Sequence, residues 1–293
     1  MPDDELTPPP LPPSGTLTPA SSARARIAPI WHTVILVVAM LAFSIWGAMR
    51  SGGPGSEPIT TLKGPRLLHY AVTGALELFV VAWVALGMRL HKTPFRTLFG
   101  IMPRGLNAIV KEVGISALFW ICSMIVLGVV GLAWNVIQTE NYHHQLNNQS
   151  SSSHAVKPES PQQQKIKLIR KLMDLAPGSV PEFFAWGLLC ALVGFSEELI
   201  FRGYLQQQGI ALLRAIPLGV IFSALVFGAA HAYEGTAGMV QIAIFGGLFS
   251  GITLLRRNLL PGMIAHSWHD FATGVFLALI RETHLLDRIP LPS

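Results

Sequence analysis

The chain has 293 residues, 51% of them hydrophobic and 13% charged, with a formal net charge of +5 and a mean hydropathy of +0.48. A soluble domain carries about 25% charged residues, so this composition excludes a water-soluble globule and marks a membrane protein. The small, dispersed positive charge excludes a nucleic-acid-binding arm, and the two cysteines, Cys122 and Cys190, sit in apolar runs that imply no disulfide framework.

Residues 1–30 read as a disordered cytoplasmic tail, proline-rich and with almost nothing apolar to bury. Asp3, Asp4 and Glu5 stand where a secretory signal would be basic, so no cleavable signal is expected. Residues 31–134 hold three predicted transmembrane helices, in the apolar runs Thr33–Met49, Tyr70–Leu90 and Val113–Trp134. At a rise of about 1.5 Å per residue, such runs reach across the hydrocarbon core of a bilayer. Glu77 lies inside the second run with no basic partner there, and reads as a packing or interfacial residue. Arg89, Lys92, Arg96, Arg104 and Lys111 form the most basic stretch between runs. The positive-inside rule places that stretch, and with it the N-terminus, in the cytoplasm.

Residues 135–180 are predicted to be a polar loop with one short amphipathic helix, Lys165–Leu175. Ile166, Ile169 and Met173 fall on one side of it, and Lys167, Arg170, Lys171 and Asp174 largely on the other. Such a helix lies on the bilayer surface or folds against the protein. Residues 181–281 form a compact unit of four apolar segments: Pro181 to about Tyr204, Pro217–Tyr233, Met239–Leu255 and Leu259–Ile280. Gly228, Ala229, Ala230, Gly246, Gly247 and Gly251 let backbones approach closely there. Arg256 and Arg257 cap the third segment on the cytoplasmic side, and residues 282–293 are left as a C-terminal tail. The predicted fold class is all-α: a polytopic helical membrane bundle of about seven transmembrane helices.

Polar residues interrupt three of the last four segments at one-turn spacing. Glu197 and Glu198 are adjacent carboxylates in an apolar run, where an ionised side chain costs about 2.5 to 3.5 kcal/mol even on lenient insertion scales. Glu198 and Arg202 are four apart and pair on one helical face, whereas Glu197 points about 100° away and is left without a counter-ion. Phe227 and His231 share a face on another segment, as do His266 and Asp270 on a third. One unpaired acid with two imidazoles suits activated-water chemistry. Glu197 would act as general base, and a neutral His or amide-type donor would stabilise the oxyanion. There is no Gly-x-Ser-x-Gly elbow, and neither cysteine has an acid or His near it in sequence, so a Ser or Cys nucleophile is not favoured. Glu with two His could also bind catalytic zinc, but the helical His-Glu-x-x-His arrangement is missing. Neither metal nor cofactor is expected.

Glu197-Glu198-x-x-x-Arg202, Phe227-x-x-x-His231 and His266-x-x-x-Asp270, in that order, resemble the three signature motifs of the CPBP family of intramembrane glutamic proteases. That family includes the type II CAAX prenyl endopeptidases and bacterial bacteriocin-processing and immunity proteins. The resemblance covers roughly Pro181 to Ile280. It implies that Glu197 activates water with His231 as its partner, that Glu198 and Arg202 support them, and that His266 and the residue at 270 form the oxyanion side. The prenyl-protease pattern has Asn where this chain has Asp270. An ionised Asp only accepts hydrogen bonds, so Asp270 is expected to orient His266 or His269, or to be protonated. The implied partners are membrane lipids and a membrane-associated protein or peptide substrate, with a multi-pass place in a bacterial plasma membrane. Two rival readings are a non-catalytic immunity or scaffold protein of the same fold and a proton-coupled transporter. Simple up-and-down threading holds His231 and His266 near opposite ends of their helices. A cooperating site therefore requires a segment that re-enters, kinks or sits off the membrane normal, expected between Phe201 and Pro217 with its Gly203 and Gly209.

Overall fold

The computed structural model describes residues 25–51, 65–149 and 159–288. Among them the regular structure is helical, apart from one isolated antiparallel bridge between Gly100 and Asn258. The helices are α1 (Ile30–Ser51), α2 (Arg66–Leu90), α3 (Leu106–Gln149) and α4 (Pro161–Met173). A second group follows: α5 (Val180–Glu197), a π-helical segment (Glu198–Leu205), α6 (Gln206–Leu213), α7 (Ile216–Ala229), α8 (Gly235–Arg256) and α9 (Leu260–Glu282). Most of the expected tail at residues 1–30 lies outside the described residues. Its last part does not: Ile27 and Ala28 are buried, and the Ile27 amide donates to Gln208 Oε1 at 3.0 Å.

Five stretches are long and apolar enough to cross a membrane: Ile30–Met49, Arg66–Leu90, Leu106–Asn148, Val180–Leu213 and Ala232–Arg256. Their exteriors carry large exposed hydrophobics such as Val38, Phe79, Ile125, Phe184 and Leu255, the surface of a bundle solvated by lipid tails. The remaining two expected crossings take other forms. Helix α7 has 14 residues and so spans only about 21 Å, short of the hydrocarbon core. Helix α9 has 23 residues, but His266, Ser267, His269 and Asp270 interrupt its apolar run.

Two expectations about the polar connection are corrected. Helix α3 does not stop near Trp134 but continues to Gln149, 44 residues in all. No Gly or Pro falls between Leu132 and Gln149 to end it, so it runs about 66 Å, roughly twice the hydrocarbon thickness. Helix α4 begins earlier than expected because Ser160 caps it. The Ser160 hydroxyl accepts from the Gln163 amide, the Gln163 side chain returns the bond, and Pro161 opens the first turn. It folds against the protein, with Ile166 buried.

Hydrogen bonds tie the two ends of the bundle. At one end the loop after α2 meets the turn before α9: the Ile101 amide donates to Arg257 O at 2.8 Å, and Arg256 pairs with Glu112 of α3 at 2.6 Å. This puts Arg96 and Arg104 at the same end of the bundle as Arg256 and Arg257. At the other end Arg281 of α9 donates to the carbonyls of Met173, Ala176 and Pro177, at 3.1, 2.9 and 2.8 Å. Tyr70 of α2 donates to Leu175 O at 2.6 Å.

The expected kink between Phe201 and Pro217 is not how the chain brings its histidines together. The helix runs through Gly203 and Gly209 without a break to Leu213, and turns only at left-handed Arg214. What shortens the path is α7 itself. Its tip packs against α1, where Ser44, in the second half of that helix, donates to Ala229 O and accepts from the Ala232 amide, both at 2.9 Å. His231 therefore sits at a packed tip rather than at an outer helix end.

Candidate active site

The acidic doublet lies where α5 passes into the π-helical segment, beginning at Glu198. Wide turns of this kind leave backbone carbonyls poorly aligned and are common at functional sites. Ser223 of α7 supplies a donor to one of them, Phe201 O, at 2.7 Å. Helix α9 crosses this junction at close range. A Cβ on Gly194 would overlap Ser267, and one on Gly262 would come within 2.8 Å of Glu198 Oε2. The contact requires glycine at both positions.

Glu198 and Arg202 pair at 2.9 Å, with side chains 0% and 1% exposed. The guanidinium also faces aromatic rings: its Cζ lies 4.4 Å from the Phe227 centroid and 5.5 Å from that of Phe249. Phe227 is thus a hub, in edge-to-face contact with both imidazoles, its ring centroid 5.0 Å from that of His231 and 6.1 Å from that of His266. That contact explains the Phe-x-x-x-His spacing on α7.

The imidazoles close the arrangement. His266 Nδ1 lies 3.0 Å from Glu198 Oε1. A carboxylate paired with Arg202 can only accept, so Nδ1–H donates and Nε2 is turned to Glu197 Oε2 at 3.5 Å and Asp270 Oδ2 at 3.8 Å. His231 Nδ1–H donates to the Phe227 carbonyl at 2.9 Å, which leaves its Nε2 facing Glu197 Oε1 at 4.0 Å. Glu197 retains 13% side-chain exposure, His231 16% and Asp270 27%. Its environment therefore has a dry side, Glu198 and Arg202, and a wetter side that opens past His231 and Asp270.

All seven residues singled out from the sequence come together here: Glu197, Glu198, Arg202, Phe227, His231, His266 and Asp270. The bond from His266 to Glu198 was not legible, because it joins helices 68 residues apart in sequence. Sequence reasoning also passed over Tyr233, whose ring lies 5.6 Å from His231, and Glu234, which acts electrostatically on His231 and Asp270. Their signal was position alone, two and three residues after His231. Glu234 also faces Lys171 of α4. Burial pushes that ammonium below its usual value, and Glu234 works the other way. The acid read as a packing or interfacial residue, Glu77, lies against Ser196: the hydroxyl donates to Glu77 Oε2 at 2.6 Å. Among the described residues no three His, Cys, Asp or Glu side chains are arranged to hold a metal ion.

Residues 179–272 match a family model, described as Rce1-like: Type II CAAX prenyl endopeptidase Rce1-like. No curated protein and no solved structure matches the chain. The matched stretch runs from the residue that caps α5 to the middle of α9, and so contains all seven residues singled out from the sequence, while Glu77 and Lys171 lie outside it.

Proposed function

We propose that this integral membrane protein, whose helical core belongs to the type II CAAX prenyl endopeptidase family, hydrolyses a peptide bond with a water activated by Glu197. The observation that supports this reading is the placement of one carboxylate between two imidazoles from different helices, at 4.0 and 3.5 Å. A separation of 4.0 Å is one that a single water closes, with hydrogen bonds of about 2.8 Å to each side. Glu197 takes a proton from that water as its oxygen adds to the scissile carbonyl carbon. His231, whose Nδ1–H is committed to Phe227 O, offers Nε2 as the second acceptor that orients the water.

The carbonyl oxygen becomes an oxyanion in this step. His266 has its Nδ1–H committed to Glu198, so Nε2 donates to the oxyanion only as an imidazolium. Glu198 on one side and Asp270 on the other favour that charge. Asp270 therefore supports the donor rather than being one, which accounts for an acid at this position. When the tetrahedral species collapses, the C–N bond breaks and the proton held by Glu197 passes to the leaving amine.

The substrate class is a membrane-associated protein or peptide, with a prenylated CAAX terminus as the form the family implies. The test uses protein purified in detergent and a farnesylated CAAX peptide beside its unprenylated counterpart. Glu197→Gln and His231→Ala are each expected to lower kcat by about 10²- to 10⁴-fold, the range of general-base contributions. Wild-type cleavage by Glu197→Gln overturns the mechanism. Equal cleavage of the two peptides overturns the prenyl assignment while leaving the mechanism standing.

A further inference from the structure

Glu77 is half-buried near the middle of α2, a helix outside the residues that match the family. Its carboxyl accepts from Ser196 Oγ at 2.6 Å, and Ser196 is fully buried. The same hydroxyl lies 3.2 Å from Val193 O, but a hydroxyl has one proton, and the shorter contact goes to the carboxyl. Ser196 directly precedes Glu197. The bond thus pins the last turn of α5, the turn that carries the base. The charged groups facing Glu77 from neighbouring elements are Glu197 of α5, His231 at the tip of α7 and His266 of α9; Tyr233, beyond that tip, also lies within its electrostatic reach. These are the groups of the reaction site.

We propose that Glu77 is a positioning residue of this site, holding Glu197 through Ser196 and setting, by its own charge, the pH at which Glu197 becomes an effective base. The inference rests on the role assigned to Glu197 above. Two carboxyls that face each other in a poorly solvated pocket oppose each other's ionisation. Catalysis needs Glu197 ionised, and a charged carboxylate beside it holds that ionisation back to higher pH. Seen this way, an acid in the middle of an otherwise apolar span is retained for its charge, as intramembrane carboxyls generally are.

Two variants separate the hydrogen bond from the charge. Glu77→Gln keeps an oxygen that accepts from Ser196 and removes the charge. Ser196→Ala removes the bond and keeps the charge. With the farnesylated peptide, Glu77→Gln is expected to move the acidic limb of the kcat/KM profile to lower pH by about one unit, with KM unchanged, because Glu197 loses a like-charged neighbour. Ser196→Ala is expected to leave the limb in place and lower kcat by about tenfold, through looser placement of Glu197. An acidic limb that stays put in Glu77→Gln overturns the proposal. So does loss of folded protein in both Glu77→Gln and Glu77→Ala, which assigns the residue to packing. A carboxyl-stretch infrared titration, with the Glu197 band identified by Glu197→Gln, reads the same coupling without substrate. If Glu197→Gln still cleaves, the hydrolytic reading fails; if it does not and both the limb and the band ignore Glu77, only the present inference fails.

Discussion

Arg202 is the most costly residue of the core to bury. Its guanidinium is 1% exposed, and moving such an ion out of water costs several kcal/mol even after relaxation. Glu198 offsets part of that cost as an ion pair, and the faces of Phe227 and Phe249 offset more, about 2 kcal/mol for a desolvated cation over a ring. Glu198→Ala therefore leaves an uncompensated charge inside the bundle and is expected to destabilise the protein by about 3 to 5 kcal/mol, read as a lower unfolding temperature in detergent. Glu197→Gln, at the wetter side, is expected to unfold close to wild type while losing turnover. The two adjacent acids thus differ in kind. Half of that difference was legible in the sequence, because a spacing of four puts Glu198 under Arg202 and leaves Glu197 out. The other half depends on His266 crossing from α9, which no local spacing encodes.

Among the helices, contact distance decides more than composition. The approach of α9 to the acidic junction leaves no volume at Gly262, where an added methyl would reach Glu198 Oε2. Gly262→Ala is expected to cost about 1 to 3 kcal/mol through overpacking. It should also lower kcat with little change in KM, since displacing Glu198 turns the His266 ring; steady-state kinetics and thermal unfolding check both. Wild-type values for both would show that the junction has slack. The apolar spans were legible because lipid exposure demands long hydrophobic runs. The shortness of α7 was not, because its sequence remains apolar through Ala230 and what ends it is Ser44 on another helix. The π-helical turns were equally hidden, since periodicity alone read Glu198 to Leu205 as ordinary helix. The length of α3 was misjudged for a different reason: polarity marks where a helix leaves the lipid, not where it ends.

Across the whole molecule, the two ends are held by different means. Backbone pairing and an ion pair close the end bearing Arg96, Arg104, Arg256 and Arg257. Side-chain donors from α2 and α9 clasp the chain between α4 and α5 at the other. The concentration of positive charge at the first end supports a cytoplasmic placement for it and, by the count of crossings, for the N-terminus; accessibility labelling of single cysteines at Thr93 and Ser179 would read that orientation. Between the ends, the charges of Glu198 and Arg202 that hold the site together are answered from within the protein. Sodium chloride shortens the reach of a charge from about 10 Å at 0.1 M to about 3 Å at 1 M only where dissolved ions can gather around it. None can gather around a guanidinium caged by Glu198 and two phenyl rings. Once substrate is bound, turnover should therefore be nearly indifferent to brine: kcat within about twofold across that range, whatever happens to KM. An enzyme built this way would keep working in media that strip its surface of every electrostatic preference.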